Sequence, residues 1–222
     1  SKGVWIHLYI QSVAHVRVMG NPVTITQHTK YPWNGDVKVI IQPEIEDSFS
    51  LFLRIPGWCR NAKVLINDKP LKEPVHPGRY LEINRLWNYD DYVHLKLSMP
   101  IDLLISHPYV LNNNDRVALR RGPLIYCVEQ VDNPDFDVWS LMLPPNPNLQ
   151  VEWMPNLLNG VIVIKGEALS VDTENFGNNL YLPSTKITSK PRRVRFTAIP
   201  YYAWANREPG PMTVWIRSPR YP

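Results

Sequence analysis

Residues 51–71, LFLRIPGWCRNAKVLINDKPL, contain the choice on which the fold turns. An alternating apolar run ends at Pro56-Gly57, a lone Cys59 stands beside Trp58, and a second alternating run ends at Asn67-Asp68. Read as chemistry, Arg54–Cys59 is a loop carrying a thiol nucleophile. Read as architecture, it is a strand end, a turn and a small apolar side chain tucked against a tryptophan. A reactive thiolate needs a nearby cation or helix N-terminus to lower its pKa. Arg54 and Arg60 are close in sequence, but no helix is expected and no histidine lies within about fifteen residues as a base. The architectural reading is therefore preferred.

The same period of two recurs outward from this stretch and places alternate side chains on opposite sheet faces. In VWIHLYI it sets Val4, Ile6, Leu8 and Ile10 on one face and Trp5, His7 and Tyr9 on the other. Gly20-Asn21 is read as a hairpin turn between VRVM and PVTIT. DVKVIIQP, FSLFLRIP, AKVLIND, RYLEINRLW and YVHLKLSMPIDLLI continue the series. After the polar SHPYVLNNNDR come RVALRRGPLIYCVEQV, VWSLML, LQVEWM, GVIVIKG, RRVRFTAIPYYAW and MTVWIR. The 22 prolines among 222 residues are about twice the usual frequency and argue against long helices. An all-β chain follows, with two consecutive antiparallel, jelly-roll-like β-sandwich domains at residues 1–102 and 103–222.

Composition excludes several functions. The net charge of +4 is modest and dispersed, without the clustered footprint of nucleic-acid binding. No apolar run reaches the about 20 residues of a membrane helix. Two cysteines, Cys59 and Cys127, cannot make a four-ligand zinc site on their own. They can form one disulfide, yet each lies in an apolar neighbourhood where a free buried thiol is equally natural, so the compartment stays open. The abrupt start at SKGVWIHLYI suggests a piece cut from a longer chain.

Chemistry-bearing residues give no local constellation. His7, His15, His28, His76, His94 and His107 form no HxH or HExxH pair. Glu44, Glu46, Asp47, Asp90 and Asp91 fall in connections that solvation and turn chemistry explain. Of the eight tryptophans, Trp5, Trp87, Trp139, Trp153 and Trp215 fall in or beside strands and are assigned to core or interface. Trp33, Trp58 and Trp204, beside prolines or turns, are the better candidates for stacking on a sugar ring.

Taken together, LRIPGWC, AKVLINDKPL, GRYLEINRLWNYDDYVHLKLSMPIDLLISHP, RVALRRGPLIYCVE and AIPYYAWANREPGPMTVWI resemble the C-terminal half of glycoside hydrolase family 127, the β-L-arabinofuranosidases and their relatives. The resemblance covers nearly the whole chain. It departs at Asn88–Asp91, NYDD, where relatives usually carry a glycine before the aspartate, and at the NNND before RVALRRGP. What it implies is a parent with an N-terminal (α/α)6 barrel followed by two β-sandwiches. In that family the barrel holds a zinc bound by cysteines and a glutamate, a cysteine nucleophile and a glutamate acid/base. No position of this chain matches those motifs, so no catalytic, cofactor-binding or metal residue is assigned here. The implied role is a supporting one, with the catalytic barrel as partner and a homo-oligomer as a further expectation, since a face meant for the barrel would be left apolar and exposed. A carbohydrate-binding module with glycan as partner is the alternative.

Overall fold

The computed structural model describes residues 3–171, 176–187 and 190–219. Its residues divide into two compact units, Ser1–Pro100 and Ile101–Pro222. Both are built from strands, and among the described residues the only helices are short 3₁₀ turns.

The first unit contains β1 (Gly3–Ile6), β2 (Ser12–Val18), β3 (Asn21–Thr29), β4 (Asp36–Pro43), β5 (Asp47–Arg54), β6 (Ala62–Ile66), β7 (Lys69–Pro70), β8 (Tyr80–Trp87) and β9 (Asp91–Leu97). They form a three-stranded sheet, β1-β5-β8, and a six-stranded sheet, β2-β3-β4-β9-β6-β7. The period of two governs burial: every second residue of β4 from Val37 to Pro43 is buried, as are Leu81 and Ile83 of β8. Phe49, Leu51, Leu53, Leu81, Ile83 and Trp87 from the smaller sheet share one core with Val37, Val39, Ile41, Val93 and Leu95 from the larger. Two faces that are each apolar on one side can bury those sides only against each other, which is the sandwich. One pairing is not antiparallel, because β1 runs parallel to β5.

Two local expectations are corrected. The strand expected through VWIHLYI stops at Ile6, and a bend at Leu8 reverses the alternation, so that Tyr9 is buried while Leu8 and Ile10 are exposed. The Tyr9 hydroxyl donates to the Arg54 carbonyl at 2.5 Å, which satisfies its polar end and lets the ring enter the core. The β2–β3 turn is Met19-Gly20, with Val18 opposite Asn21. Both turn residues have positive φ (51° and 93°), as a two-residue I′ turn requires.

The NYDD turn has a backbone that glycine would suit. Asp90 has φ 65°, a left-handed conformation that suits glycine and that aspartate tolerates better than most residues. Its carboxylate accepts a 2.6 Å hydrogen bond from Gln42. Asp90→Val is expected to destabilise the first unit by about 1–2 kcal/mol. Asp90→Gly should be near neutral, because relief of the backbone offsets the lost hydrogen bond and the added unfolded-state entropy. Urea denaturation of the two variants checks this, and equal losses from both would refute the conformational reading.

The second unit contains β10 (Ile101–Leu104), β11 (Arg116–Arg121), β12 (Leu124–Glu129), β13 (Leu141–Met142), β14 (Leu149–Met154), β15 (Val161–Ser170), β16 (Arg192–Pro200), β17 (Met212–Thr213) and β18 (Trp215–Arg217). The pairings β11-β18-β13-β15-β16-β12, with β12 returning to β11, close into a ring. All are antiparallel except the single β13–β18 pair. Val117, Leu119, Tyr126, Val128, Leu141, Ile164 and Phe196 fill its interior. The run RVALRRGPLIYCVEQV is two strands, since Gly122 (φ 57°) and Pro123 make a hairpin turn whose first residue needs positive φ and whose second suits proline. VWSLML is strand only at Leu141–Met142. Val138–Ser140 is a 3₁₀ turn capped by the Asp137 carboxylate, which accepts from the Trp139 N–H.

Candidate functional site

The opening stretch resolves as a sandwich corner. After β5 the Ile55 N–H donates to the Arg79 carbonyl at 2.8 Å, and the Cys59 N–H closes a turn on the Pro56 carbonyl at 3.0 Å. The Cys59 thiol is fully buried and donates to the Asn61 carbonyl at 3.3 Å. Burial pushes its pKa up, against the pull of its backbone hydrogen bonds. Burial likewise drives Cys127 up to about 12, helped by the charges of Glu129 and Asp132. Both cysteines are free. A thiol held protonated and away from solvent is neither a ready nucleophile nor a metal ligand.

Among the described residues no group of three His, Cys, Asp or Glu side chains could hold a metal ion. His7 donates to or accepts from the Tyr80 hydroxyl at 2.5 Å, and His94 pairs with Asp36 at 3.2 Å. Asp91 is buried in its turn. Burial raises its pKa, but the Asn88 N–H, the Asn67 amide and Arg85 outweigh that and hold it below the ordinary carboxylate range. Glu44 and Glu46 are exposed.

The core assignment holds for only some of the tryptophans. Trp87 is buried and Trp215 half-buried, but Trp5, Trp139 and Trp153 are 48, 62 and 50% exposed. Of the turn tryptophans, Trp204 is exposed while Trp33 and Trp58 are half-buried, Trp58 against the core. Alternation separates two faces of a strand without saying which of them meets water. Trp5 stands on the outer face of a sheet.

That outer face of β1-β5-β8 carries the most developed site. The register aligns Trp5 with Phe52 and Glu82, and Gly3 with Ser50 and Asn84. Trp5 stacks on Phe52 with ring centroids 3.9 Å apart and an interplanar angle of 8°. Tyr80 meets Trp5 edge-on at 4.8 Å. Beside this aromatic wall the floor is low. A Cβ on Gly3 would lie 2.3 Å from the Ser50 carbonyl oxygen, and Ser50 is itself small and buried. Across the floor runs a polar line: Asn84 Nδ2 donates to Ser50 Oγ at 2.9 Å, and Ser50 Oγ donates to Glu82 Oε1 at 2.7 Å. Met19, at positive φ, and Ser48 complete the rim of a depression of 560 Å³, a volume ordinary for a small-molecule site. A larger cleft of 800 Å³ along β6, whose lining includes Arg60, Lys63, Lys96, Glu73, Leu71 and Val75, has no aromatic ring.

In the second unit, Arg207 clamps the segment after β16. Its guanidinium donates to both Asp132 oxygens, at 2.5 and 2.6 Å, and to Glu129 Oε2 at 2.5 Å. Glu129 Oε1 also accepts from the Ala205 N–H at 3.1 Å. The Asp132 hydrogen bond raises the Arg207 pKa further above its ordinary value, against burial and with help from Glu129.

Comparison with known proteins accounts for both units. The family model of the β-L-arabinofuranosidase GH127 middle domain matches residues 3–99, and that of the glycoside hydrolase family 127 C-terminal domain matches residues 101–217. A non-reducing end β-L-arabinofuranosidase of Bifidobacterium longum subsp. longum is 32% identical in a 216-residue alignment that covers 93% of this chain and 32% of that protein. The crystal structure of a GH127 β-L-arabinofuranosidase from Geobacillus stearothermophilus T6 superposes with a TM-score of 0.89 at 42% identity, covering 98% of this chain and 34% of that one. A further solved GH127 β-arabinofuranosidase gives 0.87 at 31% identity, covering 98% and 35%. The chain thus spans about a third of the length of these relatives. It belongs to glycoside hydrolase family 127, of which it carries the middle and C-terminal domains.

Proposed function

We propose that these two domains are the non-catalytic β-sandwich region of a glycoside hydrolase acting as a β-L-arabinofuranosidase, packing against and stabilising an N-terminal (α/α)6 catalytic barrel and offering a surface for oligomerisation. The observation that carries this reading is the match itself: the chain aligns to the middle and C-terminal domain models, in relatives about three times its length. The protonated, buried thiols of Cys59 and Cys127 support it, because a nucleophile would need to reach solvent as thiolate. On this reading zinc and both catalytic side chains belong to the barrel, and an interface on the order of 1,000 Å² joins it to the sandwiches.

The test is hydrolysis of p-nitrophenyl β-L-arabinofuranoside by the purified chain, with zinc and a reductant supplied, beside the same chain joined to a barrel. Turnover is expected only in the joined protein. Turnover by the 222-residue chain that Cys59→Ala abolishes would overturn the reading and return residues 54–59 to an active-site loop.

A further inference from the structure

We infer that the outer face of the β1-β5-β8 sheet is a binding subsite for one neutral sugar ring of a glycan. Three features of that face point to the same ligand chemistry. First, its wall is aromatic: Trp5, stacked on Phe52 and braced edge-on by Tyr80, keeps about half its surface in water. An indole held in place by neighbouring rings loses little freedom when a ligand's C–H face settles on it. Second, its floor is a hydrogen-bonded line. Ser50 Oγ is committed at both ends, accepting from Asn84 and donating to Glu82. This holds the Asn84 amide and the Glu82 carboxylate in fixed orientations, and leaves one amide hydrogen, the amide oxygen and Glu82 Oε2 for a ligand. Third, the floor is recessed because Gly3 admits no side chain and Ser50 is small.

A sugar ring is the ligand whose surfaces alternate in this way, with an apolar C–H face and hydroxyl groups around its edge that both donate and accept. A protein surface pressed against this face would instead bury the Glu82 carboxylate. Among the described residues Glu82 has no ion-pair partner, so a protein surface that covered it would have to bring its own cation or donors to that carboxylate. Sugar hydroxyls would satisfy it with charge-assisted hydrogen bonds. Only the choice of arabinose as probe rests on the proposed function; the sugar-ring chemistry stands on the groove alone.

The experiment titrates the isotopically labelled chain with L-arabinose, methyl β-L-arabinofuranoside and D-xylose while following tryptophan indole N–H signals by NMR. The Trp5 signal is expected to move saturably with a Kd on the order of 1 mM for at least one sugar, while those of Trp139, Trp153 and Trp204 stay in place. Glu82→Ala should raise that Kd about tenfold or more. Asn84→Ala, an exposed and structurally mild change, should weaken binding as well and serves where the Glu82 variant fails to fold. No Trp5 response up to about 100 mM of any of the sugars, or binding undiminished in Glu82→Ala, would overturn the assignment. So would a Trp5 signal that follows protein concentration and not sugar, since the face would then be a protein contact. The hydrolysis assay reads none of these outcomes, so the subsite and the supporting role fail separately.

Discussion

Trp87→Ala is expected to cost the first unit about 3–5 kcal/mol, the range for removing a fully buried aromatic side chain. Trp87 closes β8, is completely buried, and meets Phe49 at a 6.0 Å ring separation. Its indole N–H donates to the Phe49 carbonyl at 2.9 Å, and the Arg85 guanidinium lies 5.2 Å over its ring. Alanine would therefore open a cavity between the two sheets and leave a buried carbonyl without its donor. Trp87→Phe separates the two effects. It keeps most of the ring and loses the N–H, so its loss should be about 1–3 kcal/mol. Urea denaturation with a probe on the first unit measures both. A loss under about 1 kcal/mol for the alanine variant would show that the core closes around the gap. Since a domain has only about 5–15 kcal/mol to lose, the expected change is a large part of the whole.

Arg207→Ala should destabilise the second unit by a similar amount, about 3–5 kcal/mol, through charge and not volume. Glu129 and Asp132 face one guanidinium, and their side chains are 6 and 12% exposed. Removing Arg207 would leave two carboxylates close together, with little water to screen them and no counter-charge. The damage should be local first. Glu129 also holds Ala205, whose φ of 62° needs support from its surroundings, so amide exchange at residues 201–211 should accelerate before the strands melt. Arg207→Lys keeps the charge but not the fork that binds both Asp132 oxygens, and should recover only part of the loss. If the lysine variant matches the parent, bidentate geometry contributes nothing and the argument reduces to a point charge.

The fold was legible because its signal is local. Alternation in DVKVIIQP and RYLEINRLW predicts which residues of β4 and β8 are buried, since pleating alone sends neighbours to opposite faces. The absence of an activating neighbour marks Cys59 as a packing residue, and its burial agrees. Where local signals failed, a single residue broke the period: the bend at Leu8 reversed the faces of Leu8, Tyr9 and Ile10, and Gly122-Pro123 folded one expected strand into two.

The candidate site was less legible. The sequence by itself determined an all-β chain, a family and a corner at residues 54–59, because periodicity, turn residues and ordered motifs are written along the chain. It did not show that Trp5 would face solvent, as Trp139, Trp153 and Trp204 also do, while Trp33 and Trp58 are half-buried. Nor did it show that Ser50, Glu82 and Asn84 would form one polar line beside Trp5 and Phe52. Those residues lie on three strands distant in sequence, and only the parallel pairing of β1 with β5 and the register of β5 with β8 bring them side by side. Sheet pairing is chosen by the burial of a shared core, a property of the whole domain and of no stretch within it.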